Sequence, residues 1–323
     1  MSDVRDNMVF GPLRDVSVQY KNEKYLAEKI FPAISVTPKS LLAVYNRGDY
    51  FRDEATVRAP GSAAVRGNPT STTVQIKTQN WAFAGEATDE DRRDATFMNA
   101  PPLQPDIDAI EFATEKILIK KEKIVSDHVV AADTVWCAET GGEDCGGLWA
   151  AGAGNTFLVD VAGGINTIKI NTGMKPNRLL LSWNTFEELK QEATILARIQ
   201  YSSLGVVTEE LLARLVGVDM VIVADAIENT ADEGIVDAMT GRFLFEQNAG
   251  HGSAFLYYYG SAGLRKPNAG YICTLPNDGF NRALYKFRED ARHTDIYEAS
   301  EEFAVASTFA PYLGKLFTDT ILT

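Results

Sequence analysis

The sequence predicts an α+β fold in which an arm and an extended excursion come before the main body. Three observations carry this. Residues 1 to about 100 hold only short apolar patches, too small to enclose a core. One long amphipathic pattern then begins at about Asp106. Beyond residue 155, buried strands alternate with helices of ordinary length.

The arm reads as three short patches. Val16-Ser17-Val18 comes first, and Tyr25 to Phe31 follows and is stopped by Pro32; Ala33 to Val36 then ends at Pro38. Two candidate strands come next, one near Leu41 to Phe51 and one at Thr73 to Thr78, whose alternation points Val74 and Ile76 to one face. Between them, Arg58 to Asn68 and Pro69 are rich in Pro, Gly, Ala and Ser, which is turn chemistry with little to bury. A two-stranded hairpin alone in water is marginal, so a neighbour is expected to order it. Pro101, Pro102 and Pro105 precede Asp106, the expected N-cap of the long helix. Its apolar face is Ile107, Ile110, Ala113, Ile117, Leu118, Ile124, Val125, Val129 and Ala132, with Lys116, Lys120, Lys121 and Lys123 on the other positions. At 1.5 Å per residue such a helix is about 40 Å long.

Residues 137–157 are glycine-rich and read as loop. Helices are expected at Ile165 to Ile170, Trp183 to Ala197 and Thr208 to Val216, the last with a capped start and Gly217 at its end. Buried strands are expected at Arg178 to Ser182, Met220 to Ala224, Phe255 to Tyr259 and Tyr271 to Cys273. Strand-like stretches at Ala283 to Phe287, Asp295 to Ala299 and Glu302 to Ala306 lead toward the C-terminus.

Composition narrows the function. The chain has 323 residues and 45% hydrophobic content, enough for one large domain or two ordinary ones. No apolar run approaches the roughly 18 residues a membrane span needs, and the first residues do not read as a secretory signal. Three scattered cysteines do not make a disulfide framework. A formal charge of −13 disfavours broad phosphate binding.

The search for chemistry finds little. Gly250 to Ala254 lacks the last glycine of a nucleophile elbow, and Gly152-Ala153-Gly154 lacks the third glycine of a dinucleotide fingerprint. His128, His251 and His293 are far apart, and Cys137 and Cys145 are not at metal-ligand spacing, so no catalytic residue, cofactor or metal is assigned. The Tyr257-Tyr258-Tyr259 triplet reads as core packing rather than a base-stacking platform.

Charge is segregated. Between residues 45 and 85 stand five bases, Arg47, Arg52, Arg58, Arg66 and Lys77. Between 86 and 111 stand eight acids, among them Glu86, Asp89, Glu90, Asp91 and Asp94. We read the two sets as complementary contacts between copies of the chain.

The order of parts resembles the major capsid proteins of tailed bacteriophages with the Hong Kong 97-like fold. The resemblance lies in the arm from Tyr20 to Pro32, the basic excursion around Arg58-Ala59-Pro60-Gly61, and the long helix ending in Lys120 to Val125. It continues in Lys175 to Ser182 and Thr208 to Val218. It implies an arm (1–44), an extended loop (45–85) and a peripheral domain with a spine helix (86–154, helix about 106–133). An axial domain (155–285) and a return to the peripheral domain (286–323) follow. It also implies self-assembly into an icosahedral shell of hexamers and pentamers that encloses double-stranded DNA without specific binding. Portal, scaffolding and decoration proteins are the further partners implied, with assembly in the host cytoplasm. An encapsulin-like nanocompartment shares the fold and is the alternative. An enzyme with a dispersed site and a decoration protein are weaker ones.

Overall fold

In a computed structural model, the described residues are 25–97, 104–131, 135–137, 139–152, 154–199, 207–232, 240–247, 250–263, 266–275, 282–307 and 310–322. The patch Val16 to Val18, the segment Tyr20 to Lys24, Pro101, Pro102 and Ala132 lie outside them.

Two five-stranded sheets organise the chain. The first is built on a thirteen-residue strand, Thr294–Ala306. On one side it pairs with Arg282–Glu289 and then, farther along, with Tyr271–Thr274; on the other side it pairs antiparallel with Gln79–Thr88 along ten residues. The arm strand Ala33–Ser35 extends this sheet by pairing parallel with Tyr271–Thr274. The second sheet runs in the order Glu143–Asp144, Gly314–Thr318, Ala254–Tyr257, Arg178–Ser182 and Met220–Ala224.

The long helix spans Pro105–Val130. Ile110, Ala113, Ile117, Val125 and Val129 are buried, as the apolar period requires. Its first half packs on the first sheet with Ala87, Leu284, Tyr297 and Ala299. Its second half enters a core between the sheets, where Val125 and Val129 meet Phe31, Leu180, Phe255, Ile272 and Phe303. On its other face, the second sheet is covered by helices Phe157–Thr172, Trp183–Gln191, Ala193–Ile199 and Glu209–Val216.

Several expectations are met in detail. Arg178–Ser182 and Met220–Ala224 are strands with those limits. Thr208 caps its helix by accepting from the Leu211 amide, and Gly217 ends it at φ +82°, where other residues are strained. The Tyr triplet starts in the core: Tyr257 is buried and stacks on Phe255 at 5.0 Å. Cys137, Cys145 and Cys273 are buried, and Cys137 Sγ donates to Gly314 O at 2.8 Å.

Other expectations are corrected. Asp106 is not the N-cap; Gln104 holds that position and Pro105 is the first helical residue, because proline's fixed φ suits N1. Lys121 does not sit on the outer face but is buried between two carboxylates. The helix expected over Trp183 to Ala197 breaks at Glu192, which turns extended at ψ 122°. The Glu192 carboxylate there accepts from the Thr194 amide and hydroxyl at 3.2 and 2.9 Å, capping a second helix, and from the Gly152 amide at 3.0 Å. Asp295 to Ala299 and Glu302 to Ala306 are one strand rather than two. Sheet membership does not follow linear order. Gln79–Thr88 and Tyr271–Thr274 belong to the first sheet, while Gly314–Thr318 lies inside the second. Strand pairing with distant segments decides these memberships, and linear order does not reveal it.

Candidate assembly interface

Lys39–Tyr45 and Ser71–Lys77 form an antiparallel hairpin, with Leu41 opposite Gln75 and Val44 opposite Thr72. Its base is anchored: Ile76 packs with Ile34, Val36, Tyr271 and Cys273. Val74, on the same face one step out, has left that core and is exposed. The neck is closed by Asp49, which accepts from the Thr70 amide and hydroxyl at 2.8 and 2.6 Å. Asn46 caps the short helix Arg47–Tyr50.

Beyond the neck, every residue from 51 to 75 is exposed. This includes Phe51, Val65 and Val57, the last fully open at 101%. Phe51 lies against Gly173 and residues 71–75 are paired in the hairpin, but Val57 and Val65 find no apolar cover on their own chain.

The five bases divide. Arg47 is committed within the chain: its guanidinium donates to Asn171 O and Oδ1 at 2.7 and 2.9 Å and stacks over Tyr312 at 3.7 Å. Arg52 bridges Glu54 at 3.2 Å with both side chains largely exposed. Arg58, Arg66 and Lys77 are exposed.

The acids divide as well. The first sheet's edge strand Gln79–Thr88 leads into the helix Asp89–Phe97. Asp89 is taken by Arg288 at 2.6 Å and Arg92 at 3.1 Å. Asp91 accepts from Thr88 Oγ1 at 2.6 Å. Asp94 lies 3.8 Å from Arg93 in an open pair, and Glu86 and Glu90 are exposed. Among the described residues no ion pair joins the basic set to the acidic set.

The acidic corner rests on an ion network absent from the sequence reading. Asp295 on the long strand meets Arg92 at 2.7 Å, Lys286 at 3.0 Å and Arg288 at 3.1 Å. Asp106 at the start of the long helix accepts from Arg92 and, at 2.8 Å, from Tyr297 Oη. Burial raises both carboxyls. Hydrogen bonds from Arg92, with Tyr297 on Asp106 and with Lys286 and Arg288 on Asp295, outweigh it and hold both below the ordinary 3.8. Their stabilising contribution is therefore present above that value and lost as the pH falls through their lower folded values. The network ties the strand Arg282–Glu289, both helices and the long strand into one corner.

A second buried cluster ties the arm to the long helix. Lys121 bridges Glu28 at 2.9 Å and Glu301 at 2.6 Å, and Arg282 meets Glu301 at 3.2 Å. Lys121 falls four residues after Ile117 and four before Val125. A charge on that apolar row was the signal that could have revealed this cluster. Among the described residues, no helix is long and apolar enough to cross a membrane and no group of metal-ligating side chains is gathered.

No family model matches the chain. It is 23% identical over 226 residues, 67% of its length and 68% of the other's, to the major capsid protein of Burkholderia phage BcepMu. The fold is shared along nearly the whole chain with a phage-related protein of Bordetella bronchiseptica. There the TM-score is 0.73 with 17% identity, covering 98% of this chain and 99% of that one. The mature capsid of bacteriophage PhiM1 follows with a TM-score of 0.57 and 12% identity, covering 92% and 87%.

Proposed function

We propose that this chain, which has the Hong Kong 97-like fold of tailed-phage capsid subunits, is a major capsid protein. Copies of it assemble into a closed icosahedral shell of hexamers and pentamers. The observation that carries the reading is the hairpin: residues 51–75 stand in solvent, apolar groups included, on a subunit whose fold is that of capsid proteins. A surface of that kind is completed by another copy. The shell encloses double-stranded DNA without gripping it, consistent with a charge of −13. Assembly takes place in the host cytoplasm, with portal, scaffolding and decoration proteins as separate partners. The segments 1–44, 45–85, 86–154, 155–285 and 286–323 serve as arm, extended loop, peripheral domain, axial domain and peripheral return, with the strand exchanges described above. The role is structural and no catalytic residue is assigned.

Sedimentation of the native protein with light scattering tests this. Particles of hundreds of subunits are expected; monomers or dimers as the sole species at every salt and pH, and in infected-cell lysate, contradict it. Protein cargo and no nucleic acid inside native particles would favour the nanocompartment instead.

The hairpin charges supply a second test. Arg52, Arg58 and Arg66 are proposed to meet Glu86, Glu90 and Asp94 of an adjacent copy, with Arg47 and Asp89 already engaged within their own chain. Exposed pairs are worth about 0–1 kcal/mol each, and their main effect is on encounter and register. Arg52→Glu, Arg58→Glu and Arg66→Glu together should slow assembly at least tenfold at low salt and leave subunit stability unchanged. Light scattering at the wild-type rate would mean that the hairpin docks by backbone and apolar contacts.

A further inference from the structure

We propose that seating of the arm on the long helix is proton-linked through Glu122. The arm enters the described structure at Tyr25 and immediately turns into the short helix Ala27–Ile30. The first N–H groups of a helix have no partners inside it. Leu26, in the N-cap position, has no side-chain acceptor to offer them. Glu122 supplies it from the long helix. The Leu26 amide donates to both carboxylate oxygens at 3.0 and 2.9 Å, and the Ala27 amide donates to Oε2 at 2.8 Å. The carboxylate is fully buried, beside Leu26, Ala27, Ile30 and Phe31, which are themselves buried. Tyr25 Oη donates to Glu115 two turns earlier on the long helix, and Glu28 meets Lys121, so the polar contacts of the arm's first residues gather on that helix.

Burial, more than the neighbouring charges, disfavours an anion at this site. On the same helix, Lys121 turns its Nζ to Glu28 of the arm and Glu301 of the long strand. Arg282, from the neighbouring strand, is also directed at Glu301. Asp225, just after Met220–Ala224, adds negative charge. Burial therefore pushes the Glu122 carboxyl up to about 7, the amides of Leu26 and Ala27 and Lys121 partly opposing the shift and Asp225 adding to it. Its neutral form keeps a carbonyl oxygen that can accept from the arm amides.

The sign follows from linkage. With the arm lifted, Glu122 is exposed to water and titrates near the ordinary 4.5; with the arm seated it holds its proton to about 7. Proton binding thus favours seating, which is strongest below 4.5 and weakens as the pH rises through 7. Across that window the seating equilibrium falls by up to about tenfold per pH unit, about a hundredfold in all.

The full-length chain as free subunits is the material for the test, which does not depend on the shell reading. Amide hydrogen exchange, corrected for intrinsic rates, is followed for the 25–31 peptide between pH 5 and 8. Protection there should fall about a hundredfold, while the Arg178–Ser182 strand changes little. Glu122→Gln should flatten the profile. Asp225→Asn, which removes a neighbouring negative charge, should move the midpoint to lower pH and serves if the Glu122 variant does not fold. Constant protection of the wild-type peptide across the range, or a wild-type slope in Glu122→Gln, overturns the proposal.

Discussion

Gly85→Ala is expected to destabilise the subunit by about 3 kcal/mol and to abolish soluble expression at 37 °C. Gly85 lies on the edge strand where the long helix crosses it. A Cβ there would stand 2.2 Å from the carbonyl oxygen of Ala109 and 2.8 Å from its carbonyl carbon. These are backbone atoms of the long helix, so no side-chain rotation relieves the clash; helix and strand must separate. That separation would pull Ala109, Ile110 and Ala113 away from Ala87, Tyr297 and Ala299. Gly163 is the control. In helix Phe157–Thr172 a methyl at that position meets open space, and alanine gains helix propensity. Gly163→Ala should therefore be neutral or stabilising by up to about 1 kcal/mol. Urea unfolding of both variants gives the comparison. Equal stabilities would mean the strand and helix are not in backbone contact.

Lys121→Ala should cost about 3–5 kcal/mol, the loss expected when one partner of a buried pair is removed. Lys121 is 3% exposed and Glu301 2%, so the Glu301 carboxylate would keep only Arg282. Burial opposes the charge on Lys121, but Glu301 and Glu28 outweigh it and hold the ammonium above its ordinary pKa. Lys116, five residues earlier, is exposed and lies over the Phe112 ring at 5.1 Å. Lys116→Ala should stay within about 0.5 kcal/mol of the wild type. Similar losses for the two lysines would remove the buried cluster from the account.

The same residues explain what was legible in the sequence. Leu179 to Leu181 and Val221 to Val223 are continuous apolar runs, and all are buried except the half-buried Val223. Thr208 and Gly217 carry their capping roles locally, so the helix limits follow from residue type alone. The long helix shows itself by period. Glu301 does the opposite. A buried acid in the middle of Thr294–Ala306 reads as a break between two strands because its partners, Lys121 and Arg282, are far away in sequence. Lys315 misleads in the same way. It is 5% exposed inside Gly314–Thr318, a strand absent from the sequence reading, and its partner Glu143 at 2.5 Å belongs to the glycine-rich stretch read as loop. The charge segregation of the proposed interface was visible in composition. The engagement of Arg47 by Asn171 and Tyr312, and of Asp89 by Arg288, was not, because each depends on packing between separated segments.

Cryo-electron microscopy of the purified native protein tests the central claim most directly. Closed icosahedral shells are expected, in which density for residues 51–75 lies across a neighbouring subunit near its Asp89–Phe97 corner. Dispersed monomers or dimers alone, or shells in which that segment packs on its own subunit, would contradict it.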